Sequence, residues 1–89
     1  MRPETMHDLH EADKILKLIL EHGRRNNLKQ ITEASIALGS IIEHEQEIQP
    51  ENLIFNLKML ARNTICQDME IKITRTKSGF WQLLEIKGQ

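Results

Sequence analysis

The chain has one cysteine, two prolines and no apolar run near the roughly 18–20 residues needed to cross a bilayer. A lone Cys66 excludes an internal disulfide and any zinc site built from cysteines alone. No secretory pattern opens the sequence, so a cytoplasmic location is expected. A basic excess is missing as well: 12 Lys and Arg face 13 Asp and Glu, for a net charge of −1. Proteins that grip nucleic acid draw much of their affinity from phosphate contacts and show a basic stripe. Neither nucleic acid nor a membrane is therefore an expected partner. The one close basic pair, Arg24-Arg25, falls where a helix should end and suits the negative end of its dipole. Catalytic templates are absent too: there is no Gly-rich phosphate loop, no Gly-x-Ser-x-Gly and no His-Glu-x-x-His. No carboxylate sits alone in an apolar stretch that would raise its pKa for acid–base work. An enzyme is not expected.

What is present describes one small α+β domain over residues 1–89. A chain of this size hides roughly 60–70% of its unfolded surface, enough for a single core. Residues 1–5 read as a frayed polar lead. Met6 to Leu9 read as a short strand or extended entry to a helix running from Glu11 to about Asn26. Leu9, Ala12, Leu16, Ile19, Leu20 and Gly23 recur at three- and four-residue steps on that helix, with Ile15 and Leu18 widening the stripe. Gly23 and Asn26-Asn27 supply the stop. Gln30–Leu38 alternates as a half-buried strand and a candidate for the sheet centre, with Ala34, Ile36 and Leu38 on one face and Ile31 on the other. Ser40–Gln49 reads as a loop, acidic over Glu43–Glu47. Pro50 and Glu51 open a second helix with Leu53, Leu57, Leu60 and Ala61 as its stripe. Met69, Ile71 and Ile73 mark a strand. Thr76-Lys77-Ser78-Gly79 reads as a tight hairpin turn needing a positive φ at glycine, and a last strand carries Leu84 and Ile86 on one face. The expected order is β-α-β-α-β-β: two helices packed on a three- to four-stranded mixed sheet.

Met6-His7-Asp8-Leu9-His10 holds the densest set of donors. A neutral imidazole offers a lone pair near pH 7 and suits nickel, copper and zinc. His7 and His10, three apart, share one side of a first helical turn, and Asp8 could add an oxygen. The same residues fit two exposed histidines and an N-cap aspartate. The acidic Glu43–Glu47 lacks the glycine of a calcium loop and reads as a solvated cluster. His22 suits the helix dipole, and Cys66 reads as a small buried hydrophobe.

Met6-His7-Asp8-Leu9 followed by a helix resembles the Met-His-Glu-Leu opening of the HypA/HybF nickel-insertion family. Ile31-Thr32 through Gly39, Pro50-Glu51-Asn52-Leu53 with Phe55, and Asn63-Thr64 through Ile73 are similar to later passages of that family, in the same order. The resemblance implies a metallochaperone that delivers Ni(II) to a nickel enzyme such as [NiFe]-hydrogenase, with a GTPase partner and the client enzyme. By position it implies His7 as nickel ligand, joined by backbone nitrogens of Met6 and Asp8, with His10 nearby. The family's zinc lobe, built on two Cys-x-x-Cys pairs, corresponds in position to Thr76–Gly79, so the likeness covers the nickel-binding half and no structural zinc is expected. The competing expectation is a metal-independent interaction or regulatory module of the same fold. It would dock a partner, or a second copy as a homodimer, through Ile15 and Leu18 or a sheet edge.

Overall fold

The computed structural model describes the backbone of residues 3–43 and 46–89, and the side chains of 9–42 and 47–89. Helix α1 spans Pro3–Arg25 in 23 residues, followed by β1 (Ile31–Leu38), the short strands β2 (Ile42–Glu43) and β3 (Gln46–Glu47), α2 (Pro50–Leu60), β4 (Glu70–Arg75) and β5 (Trp81–Gly88). The α+β class stands. Two stretches before α2 differ from expectation. The stretch Met6–Leu9 is no strand but the second turn of α1, which opens at Pro3, where the missing proline N–H forfeits no helical hydrogen bond. Of the polar lead, only Met1 and Arg2 precede the helix, outside the described residues. The acidic loop folds back on itself as an antiparallel β2–β3 ladder pairing Ile42 with Glu47 and Glu43 with Gln46.

α1 stops as its residues dictate. Asn27 takes a left-handed φ of 57°, while Leu28 N–H reaches back to Gly23 O (2.9 Å) and Asn27 N–H to Arg24 O (3.1 Å). These satisfy two of the carbonyls a helix end leaves open. Arg25 also reaches Glu21 at 2.8 Å, one turn back.

β1 is the centre of a three-stranded sheet, β4-β1-β5, parallel to β4 and antiparallel to β5. Its inward side chains form cross-strand rows with both neighbours: Ile71-Ala34-Ile86 and Ile73-Ile36-Leu83. The buried faces of the two helices, with Ala12, Ile15, Leu16 and Ile19 from α1 and Leu53 and Leu57 from α2, join these rows in one core. Ile15 is fully buried, so it is no docking residue; Leu18 is only half-buried. The opposite sheet face is polar. There Glu33 lies between Lys72 (3.2 Å) and Lys87 (3.5 Å), and the hydrogen bond from Lys72 is the main reason its carboxyl sits below the ordinary range.

Register irregularities explain two mismatches with strict alternation. One between Ile31 and Glu33 turns Ile31 into the core. A second, opposite Ser35/Ile36, leaves Leu84 unpaired and exposed while Leu83 takes the inward position beside Ile36.

The passage after β4 is not a hairpin, because β4 and β5 flank β1 on opposite sides. Residues 76–80 cross the end of β1 instead, and no glycine has a positive φ. The crossing is bonded to β1 and its exit: Thr76 N–H to Leu38 O (3.0 Å), Gly39 N–H to Phe80 O (2.9 Å) and Ser40 N–H to Ser78 O (2.8 Å). Gly39 is required there, since a Cβ would collide with the backbone of Ser78.

Candidate metal centre

α1 runs beside β5 in the same direction. Glu11 meets Trp81 near the start of both elements, and His22 shares a shallow groove with Leu83–Ile86 further on. The helix therefore carries positions 7 and 10 to the end of the molecule where β1 ends, residues 76–80 cross and β5 begins. The sequence placed its donors here.

Met6, His7, Asp8 and His10 all lie in the opening turns of α1. His7 and His10 are therefore three apart on a continuous helix, which sets them on one side of it. Asp8 stands within the helix, five residues after its first, and so is no N-cap. His10 is exposed; the side chains of Met6, His7 and Asp8 lie outside the described residues. Helical geometry commits the N–H of Asp8, one of the two expected backbone donors, to the carbonyl of Glu4. A metal that took that backbone nitrogen would have to open the first turns. Side-chain donors alone would not require it. Among the described residues, no three His, Cys, Asp or Glu side chains converge as a ready metal cluster.

One carboxylate at this end was not singled out from the sequence. Glu11 accepts a hydrogen bond from the Trp81 indole N–H (3.0 Å) through Oε1, and its Oε2 faces Lys14 Nζ at 3.3 Å. Its spacing from His7, one helical turn, was available in the sequence. Its partner 70 residues away was not.

Two other ionisable groups serve the scaffold. Ser40 and then Arg75 hydrogen-bond the Glu47 carboxylate and hold it below the usual range, fastening β3 to the end of β4. His44 and Glu45 of the acidic stretch lie outside the described residues. Cys66 is buried, and that burial pushes its thiol up to about 11, the behaviour of a packed hydrophobe rather than a nucleophile.

No family model matches the chain. Among solved structures, the solution structure of the Ni metallochaperone HypA from Helicobacter pylori superposes with a TM-score of 0.74 over 91% of this chain and 96% of that one, at 10% identity. Two helices on a three-stranded mixed sheet are thus a fold that a nickel metallochaperone also adopts. Among curated proteins, the hydrogenase maturation factor HypA of Methanobrevibacter smithii is 37% identical over 68 residues, covering 76% of this chain and 51% of that protein. HypA of Thermococcus onnurineus is 28% identical over 91 residues, covering 93% of this chain and 63% of its own length. The chain is similar to HypA hydrogenase maturation factors over three quarters or more of its own length. It spans about half to just under two thirds of the length of the curated relatives it matches.

Proposed function

We propose that this chain is a nickel-binding accessory protein that helps deliver Ni(II) to a nickel enzyme such as [NiFe]-hydrogenase. Nickel is its cargo, and the chain itself catalyses nothing. His7 is the principal ligand, with His10 three residues on and the backbone nitrogens of Met6 and Asp8 as further donors once the first helical turns open. Imidazole and amide nitrogens are donors suited to Ni(II). The reading carries over the role of the HypA relatives, whose names state hydrogenase maturation and, for the Helicobacter pylori protein, nickel chaperoning. The observation that carries it within this chain is the placement of His7 and His10 on one side of a continuous helix at the end where β5 begins.

A GTPase partner and the client enzyme complete the reading, in a cytoplasmic setting. Among the described residues no helix is long and apolar enough to cross a membrane. With one cysteine in its 89 residues, the chain cannot supply a four-thiolate zinc site by itself.

Calorimetric Ni(II) titration of the chain and of His7→Ala and His10→Ala tests the proposal. Loss of about tenfold or more in affinity for His7→Ala, equivalent to at least about 1.4 kcal/mol, is expected. An unchanged isotherm would remove nickel from the account and favour the metal-independent interaction module.

A further inference from the structure

Glu11 occupies an unusual position. It follows His10 directly, stands one helical turn after His7, and is tethered to a residue from the far end of the sequence. Its side chain is only 14% exposed, although it projects from the flank of α1 rather than the core face. The indole N–H of Trp81 can only donate, so it fixes Oε1 as an acceptor. A carboxylate offers about four lone-pair sites, and the tether uses one of them. Oε2 meets the Lys14 ammonium, which is 53% exposed and 3.3 Å away, an i,i+3 surface pair of little strength. One oxygen is thus held by a half-buried donor, and the other is covered only by a cation on a flexible stem.

We propose that Glu11 is an oxygen ligand for nickel, forming with His7 an i,i+4 side-chain chelate on α1 whose carboxylate is positioned by Trp81. This rests on the reading of the opening turns of α1 as the nickel-binding end, and it goes further by naming a second ligand and the residue that orients it. Residues four apart on a helix are neighbours, so one ion can bridge positions 7 and 11 while the turn that joins them stays closed and only the turns before it open. Protein ligands are commonly fixed by an outer hydrogen bond, and removing such a partner weakens metal affinity by roughly 10- to 100-fold. The Trp81 indole supplies that bond here. Lys14 is then a competitor that must swing away when the ion arrives.

The test is Ni(II) titration of the 89-residue chain by calorimetry, with Trp81 fluorescence followed in parallel, since Trp81 is its only tryptophan and it has no tyrosine. Glu11→Gln keeps a carbonyl oxygen for the indole but removes the charged ligand. Its affinity should fall by about tenfold or more, with helix content and melting temperature unchanged. Lys14→Gln should tighten binding in the natural background and have no effect in the Glu11→Gln background. Trp81→Phe should weaken binding by several-fold in the natural background, and again not in Glu11→Gln, an uncoupling that a merely structural tether would not show. If His7→Ala loses nickel while Glu11→Gln binds as the natural chain does, the chelate is refuted and the nickel reading survives. If neither substitution changes binding, both are refuted.

Discussion

Replacing Gly39 by alanine should damage this fold far more than the same change at Gly79. At Gly39 a new Cβ would run into the backbone and hydroxyl of Ser78, in the segment that crosses the end of β1. A backbone obstacle cannot swing aside as a side-chain tip can, so the crossing must lift. Lifting it stretches Gly39 N–H···O Phe80 (2.9 Å) and Ser40 N–H···O Ser78 (2.8 Å). Each is worth about 0.5–1.5 kcal/mol net. Overpacking strain adds about 1–3 kcal/mol. The combined loss is about 3 kcal/mol, which in a domain this size lowers the melting temperature by roughly 12–24 °C. At Gly79 a Cβ would meet nothing within 4 Å and φ is not positive, so alanine there should stay within about 0.5 kcal/mol of the natural chain. Thermal unfolding of both variants by circular dichroism decides it. A Gly39→Ala protein melting within 3 °C or so of the natural chain, or equal damage at the two sites, would refute the crossing as described.

Other outcomes follow from single residues. Asn27 holds φ at 57°, so Asn27→Val should destabilise by about 1–2 kcal/mol in urea unfolding, whereas Asn27→Gly should be nearly neutral. Ile19, fully buried between α1 and the sheet, should cost about 2–5 kcal/mol when cut to alanine, read from the same experiment. The Glu33 carboxyl is lowered below its ordinary 4.5 by Lys72 and Lys87, so its contribution is present above that value and is lost as pH falls through the lower folded one. Glu33→Gln should therefore melt below the natural chain at pH 7, with the gap narrowing as the pH falls below 4.5. Cys66, with its thiol pushed up to about 11, should resist a thiol-specific dye at pH 8 in the native protein and react at once in denaturant.

Much of this architecture is legible in the residues themselves. The three-and-four spacing of Ala12, Leu16 and Ile19, the Asn27 stop, the Pro50 start and the alternation of β1 are local signals, and each matches the element found. The mistaken parts depend on distant partners. Thr76–Gly79 has the composition of a hairpin turn, but neighbours in sequence need not be neighbours in a sheet. Burying β1 on both edges places β4 and β5 two strand spacings apart, about 10 Å, which residues 76–80 are long enough to cross. Leu84 and Ile86 obey a period of two, yet a bulge swaps Leu84 for Leu83. Met6–Leu9 has no apolar alternation strong enough to mark a strand, and the helix to its C-terminal side extends through it. At the candidate metal site, the histidine spacing is visible, whereas the Glu11–Trp81 contact joins residues that no local pattern connects.

The central claim, that the opening turns of α1 hold nickel, is tested most directly by X-ray absorption at the nickel edge on the loaded chain and its His7→Ala counterpart. The account predicts imidazole scattering in the natural protein, diminished or gone in the variant. Identical spectra from the two, or a nickel shell without imidazole, would contradict it.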